Sequence, residues 1–234
     1  MRRFVVADVH GAHKALVQCL LRSGFDKDND LLICLGDVAD GWPEVPECFD
    51  ELLKIKKLIY ILGNHDNWLL EYFKFGATPN IWTIQGGNAT LDAYSRYIDT
   101  TAHQQLLERA VYYYVLDNKL FVHGGYNWHD DIENTSRHDM MWDRELIQAA
   151  IYWNKQAPKT GVMHKVKDYD EVFIGHTTTS WFDPSLKPLH VSNVWDLDQG
   201  AGWEGKLTIM DIDSKEYWQS DMVKDLYPDV KGRE

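Results

Sequence analysis

The sequence predicts an α/β fold on two observations. Its first third alternates three short apolar runs with polar loops and helical patterns, and its second half is dominated by strand-like runs. The first run, residues 4–7, ends on the carboxylate of Asp8, and Ala15, Leu16, Cys19 and Leu20 then recur at helical spacing before Ser23-Gly24. The second, residues 31–35, runs into Gly36-Asp37. Behind it Val45, Phe49, Leu52 and Leu53 repeat the helical spacing among Pro43 and Pro46. The third, residues 58–62, closes on Gly63-Asn64-His65-Asp66 before another helical pattern at 68–73. Three strand–loop–helix units make a parallel βαβαβ arrangement, whose ligands collect beyond the carboxyl ends of the strands.

Residues 76–110 are polar and mixed, broken at Gly86-Gly87, with a helix expected through Gln104, Leu107 and Ala110 that would cover one side of a site. Strand-like runs return at 112–116, 120–123, 172–174, 189–195 and 207–212, with Asp117-Asn118 as a hairpin turn between the first two. One domain spanning residues 1–234 is expected, with a tail of about residues 225–234 loosely ordered.

Composition narrows the function classes. No apolar run approaches the roughly eighteen residues that cross a bilayer, and the N-terminal Met1-Arg2-Arg3 lacks the long apolar stretch of a signal peptide. A soluble cytoplasmic protein with no membrane partner is expected. Cys19, Cys34 and Cys48 form no CxxC pair, which argues against a thiolate zinc site and fits a reduced compartment. The formal net charge of −12, with no lysine or arginine cluster, disfavours duplex nucleic acid as a partner. Nothing in the sequence sets the oligomeric state.

Asp8, His10, Asp37, Asn64, His65, His123 and His176 all fall at or just beyond predicted strand ends, so they should converge. Aspartate and asparagine oxygens mixed with imidazole nitrogens suit divalent Mn, Fe, Zn or Co. Two ions need a bridge, and the two oxygens of Asp37 can hold cations roughly 3.5–4 Å apart.

With these residues in view, Asp8-Val9-His10-Gly11, Gly36-Asp37-Val38-Ala39-Asp40, Gly63-Asn64-His65-Asp66, His123-Gly124-Gly125 and Gly175-His176 resemble, in order, the signature of the calcineurin-like metallophosphoesterases. Met141-Trp142-Asp143-Arg144-Glu145, 173–177 and 198–201 are similar to bacterial and phage Ser/Thr phosphoprotein phosphatases such as lambda phosphatase. The resemblance implies a four-layer sandwich, two packed mixed β-sheets flanked by helices. It implies that Asp8, His10 and Asp37 hold a first metal, and that Asp37, Asn64, His123 and His176 hold a second. The expected cofactor is a pair of divalent transition-metal ions, manganese first, with Fe, Zn, Co or Ni as alternatives. It further implies that a hydroxide bridging the metals attacks a phosphomonoester, that Arg144 binds the phosphate, and that His65, oriented by Asp40, protonates the leaving oxygen. The substrate partner is then a phosphorylated protein or small molecule.

Two positions depart from the pattern. Gly41 stands where the phosphatases usually have a second phosphate-clamping arginine, which weakens monoester binding or admits a bulkier or less charged ester. Thr178 stands where many diesterase branches have a histidine after Gly-His, which favours the phosphatase branch. Hydrolysis of dinucleoside polyphosphates or small phosphodiesters is thus an alternative. A non-catalytic binding module is another, which the retained His65 argues against. Of the remaining histidines, His13, His103, His129, His138, His164 and His190, only His13 and His190 are held in reserve as rim contacts. Trp42, beside a motif loop, is the candidate for selectivity.

Overall fold

The computed structural model describes residues 1–233. The three N-terminal units form β1 (Arg3–Val6), α1 (His13–Arg22), β2 (Leu31–Cys34), α2 (Val45–Leu53), β3 (Lys57–Tyr60) and α3 (Asn64–Phe75), with β1, β2 and β3 parallel. The polar middle segment folds as α4 (Asn80–Trp82), a π-helical turn, α5 (Asn88–Ser95) and α6 (Thr101–Glu108). Gly86, at φ 103°, makes the kink between α4 and α5. β4 (Tyr113–Leu116) and β5 (Lys119–Val122) are joined through Asp117 and Asn118, both left-handed at φ 48° and 57°, as a two-residue hairpin requires. The chain continues through α7 (Arg137–Trp142), α8 (Glu145–Thr160), β6 (Glu171–Ile174), β7 (Leu189–Val191), β8 (Val194–Asp196), β9 (Thr208–Asp211), β10 (Tyr217–Gln219) and α9 (Val223–Leu226).

Two five-stranded mixed sheets result, ordered β10-β9-β1-β2-β3 and β4-β5-β6-β8-β7. The run at 189–195, expected as one strand, is instead an antiparallel hairpin. It turns at left-handed Ser192, and the Asn193 amide bonds the carbonyls of Val166 and Tyr169 and the amide of Val166. β10 was not anticipated, because three residues between Glu216 and Ser220 are too few to show alternation.

Strand periodicity creates the layers. Val5, Ala7, Ile33, Leu35 and Ile61 of the first sheet face Phe121, Phe173 and Leu197 of the second across one buried cluster, in which the Phe121 and Phe173 rings stack at 4.9 Å. The alternate residues Phe4, Val6, Leu32 and Cys34 turn outward onto Leu16, Cys19, Phe49 and Leu52 of α1 and α2. On the far side Leu120, Val122, Val172 and Ile174 meet Leu146, Ile147 and Ala150 of α8. Burying each large apolar side chain stabilises the fold by about 1.5–3 kcal/mol. Two sheets flanked by helices, as the sequence implied, leave the carboxyl ends of β1, β2, β3, β5 and β6 at a common edge. Among the described residues no helix is long and apolar enough to cross a membrane.

The composition of residues 225–234 suggested a loose tail. In the structure Tyr227 is buried, stacks on Trp42 at 5.1 Å and bonds Glu44, while Arg233 reaches the edge where the strand ends converge.

Candidate metal centre

The loops beyond β1, β2 and β6 are tightly bent. Asp8, His10, Asp37, Asp40 and His176 have φ of 53°, 49°, 53°, 71° and 66°, half of the ten non-glycine residues with positive φ among the described residues. Such conformations cost about 1–3 kcal/mol each and persist where the surroundings over-determine them. Here the surroundings are backbone bonds between loops: Asp8 N to Gly36 O at 3.1 Å, His10 N to Asp37 O at 2.9 Å and Gly11 N to Val38 O at 2.8 Å. Asp66, at the start of α3, adds a carboxylate that accepts the amides of Asp37, Val38, Ala39 and Gly63 at 2.7–3.2 Å. Gly63 must be glycine because a Cβ there would lie 2.1 Å from Asp37 Oδ1.

These loops bring the expected ligands together. Asp8, His10 and Asp37 form one buried group and Asp37, His123 and His176 a second, the donor atoms of each lying within 4.8 Å of one another. Asp37 belongs to both, as a bridging carboxylate would. His10 Nδ1 is 2.9 Å from Ala39 O and His123 Nδ1 is 2.7 Å from Leu35 O, so each Nδ1 carries a proton and each Nε2 faces inward, that of His10 as a lone pair because burial holds its ring neutral. His123 Nε2 lies 3.3 Å from Asp37 Oδ2 and 3.2 Å from Asn64 Oδ1, and the neighbouring Asp37 raises the imidazole against its burial; a cation taking the place of the Nε2 proton would be met by three ligand atoms. His176 Nε2 and Asn64 Nδ2 are buried without a hydrogen-bond partner. Converging lone pairs and an orphaned imidazole fit divalent transition ions, and all nine sequence-expected site residues are among the described residues.

Electrostatics points the same way. Burial, with Asp198 and Asp37 close by, pushes the Asp8 carboxyl well up, and burial brings Asp198 to about 6. Asp37 is held ionised against its burial, with His123 contributing most. Bound cations would offset this crowding of carboxylates.

Beside the cluster, His65 Nδ1 lies 2.5 Å from Asp40 Oδ2. Asp40 also accepts from Trp82 Nε1 at 2.8 Å and Thr90 Oγ1 at 2.6 Å, which fixes its plane. The His65 ring is wedged edge-on between His10 and Trp68, each 5.0 Å away. Arg144 precedes α8, sits 5.6 Å over Trp181, and has a buried Nε with no partner.

Sequence reasoning missed the supports. Asp66 and Asp198 lay inside recognised motifs but carried no assigned task, and Trp82 and Thr90 gave no local signal because their roles depend on tertiary contact with Asp40. Trp42 is not a selectivity residue on the substrate side. It is 1% exposed and donates Nε1 to Ala201 O at 2.7 Å. His103, read as surface or satisfied, is buried between Tyr94 and Asp50 at 3.0 Å from each. His190 stacks on Trp195 at 4.0 Å.

A family profile described as calcineurin-like phosphoesterase matches residues 1–198. Serine/threonine-protein phosphatase 1 of Salmonella typhimurium is 25% identical, over 89% of this chain and 91% of that protein. The symmetrical bis(5'-nucleosyl)-tetraphosphatase of Nitrosomonas europaea is 27% identical over 55% of this chain and 47% of its own length. Among solved structures, a protein provisionally described as a diadenosine tetraphosphatase superposes with a TM-score of 0.65 at 17% identity, covering 93% of this chain and 92% of that one.

Proposed function

The chain belongs to the calcineurin-like phosphoesterase family, and from that premise we propose that this hydrolytic phosphoesterase acts on phosphomonoesters, with phosphoserine and phosphothreonine in proteins as the substrate class. The single observation that carries the reading is the pair of buried ligand groups sharing Asp37, with the His65–Asp40 pair beside them. Asp8, His10 and Asp37 would hold one cation; Asp37, Asn64, His123 and His176 would hold the other. When bound, two divalent ions supply a water activated for attack near neutral pH and positive charge for the phosphate oxygens. The chain's own residues do the rest. Arg144 offers guanidinium donors, one of them unpartnered, to the phosphate. Asp40 accepts the Nδ1 proton of His65, so that in the doubly protonated ring the Nε2 proton is the one passed to the departing oxygen, leaving a neutral imidazole still bonded to Asp40.

A second reading, hydrolysis of dinucleoside polyphosphates, is favoured by Gly41 and by two of the similar proteins. Parallel assays of the manganese-loaded protein on p-nitrophenyl phosphate, a phosphoserine peptide, bis-p-nitrophenyl phosphate and diadenosine tetraphosphate separate the two. Preference for the first pair supports the proposal; preference for the last pair overturns it.

A further inference from the structure

Gly41 leaves open space where the resemblance calls for a phosphate-clamping arginine, and a different arginine occupies that space. A Cβ added to Gly41 would lie 3.2 Å from Arg233 Cγ, one on Gly86 3.1 Å from the same atom, and one on Gly202 3.2 Å from Arg233 Cδ. Gly41 and Gly86 are also left-handed, at φ 91° and 103°, so any larger residue there would be strained as well as crowded. Three glycines from three separate loops thus line a channel for one aliphatic stem.

The channel delivers the guanidinium to the metal cluster. Arg233 Nη1 lies 3.2 Å from His10 Nε2, the inward lone pair of the first ligand group, and Nη2 lies 3.3 Å from Gln85 Oε1. The head sits 5.0 Å over the Trp203 ring, and the Arg233 amide bonds Gly202 O at 2.9 Å, which fixes the approach. Its Nε is buried with no partner, as is the Nε of Arg144. Leaving a charged donor buried and unsatisfied is costly, so both groups are arranged for an acceptor the protein does not supply. Burial first, and then the charge of Arg233, lower the Arg144 guanidinium from its ordinary range, and an anion between the two arginines would relieve the second effect.

We infer that Arg233 is the second phosphate-binding arginine of this chain, entering through the space left by Gly41, and that with Arg144 it favours dianionic phosphomonoesters over monoanionic diesters. The inference rests on the monoester reading for its selectivity, but phosphate binding tests it separately. In manganese-loaded protein, Arg233→Ala should weaken orthophosphate binding by calorimetry about tenfold and raise KM for p-nitrophenyl phosphate similarly. Metal content and melting temperature should be unchanged, KM for bis-p-nitrophenyl phosphate should stay within about twofold, and Arg233→Lys, which keeps charge without the fork, should fall between. Unchanged orthophosphate affinity in Arg233→Ala would overturn the inference. So would faster turnover of both esters, the mark of a segment that blocks the site. If the wild type cleaves only the diester yet Arg233→Ala still loses orthophosphate, the monoester reading fails while the phosphate contact stands.

Discussion

The floor of the site and its rim are built on opposite principles. On the floor, Asp8, His10 and Asp37 sit on left-handed residues held by loop-to-loop backbone bonds and by the four amides gathered on Asp66. At the rim, Arg144 and Arg233 keep buried Nε donors without partners and rest on Trp181 and Trp203. The floor's backbone is densely bonded and strained, and leaves only the inward atoms His176 Nε2 and Asn64 Nδ2 unpartnered, whereas the rim rests on aromatic faces and leaves guanidinium donors unpartnered. Groups proposed to hold fixed cations would gain from the first design. Groups proposed to grip and release an anion would gain from the second.

The comparison can be broken at several points. Asp37→Asn removes the charge shared by both ligand groups and should reduce turnover to that of metal-free protein, with metal content by mass spectrometry falling in step. His65→Asn should lower kcat by about 10²–10⁴ while the metal content stays, because the ring touches the cluster without being needed to fill it. Retained turnover in that variant would remove His65 from the proton step. Asp66→Ala strands four buried amides and should cost about 4 kcal/mol in urea unfolding, with weaker metal binding as well. Leu146→Ala, in the α8 layer behind the second sheet, should cost about 3 kcal/mol without changing metal affinity. If it altered metal binding as much as Asp66→Ala does, the floor would not be locally determined.

The smallest effect lies far from the site. Burial raises the Asp30 carboxyl, but the amides of Arg2 and Asp26 and the Arg2 guanidinium outweigh it and hold Asp30 below the ordinary carboxylate range. A depressed folded value means that its contribution is present above the unfolded value of about 3.9 and is lost as pH falls through the folded value. Arg2 is half exposed, so Asp30→Asn should flatten the acid limb of stability by about 1 kcal/mol or less, read from urea midpoints between pH 5 and about pH 3.

The floor was legible in the sequence because its residues directly follow apolar runs, and a strand's end fixes where the next side chains go. Asp8, Asp37 and Asn64 are read this way from local pattern. The rim was only partly legible. Arg144 is proposed from its motif, but Arg233 lies among Pro228, Lys231 and Gly232, a composition that reads as tail, and its place depends on glycines more than thirty, one hundred and forty and one hundred and ninety positions away. Trp42 misled for a related reason, since adjacency to a motif loop says nothing about which side of the loop a ring packs on. The 189–195 run misled because a β-hairpin with a two-residue turn and a single strand share the same apolar content.

The most direct test of the central claim is a manganese titration of metal-free protein, following p-nitrophenyl phosphate turnover against bound metal. Two ions per chain, with turnover saturating only as the second binds, is the predicted result. Saturation at one ion, or turnover indifferent to metal, would contradict a binuclear centre built on Asp37.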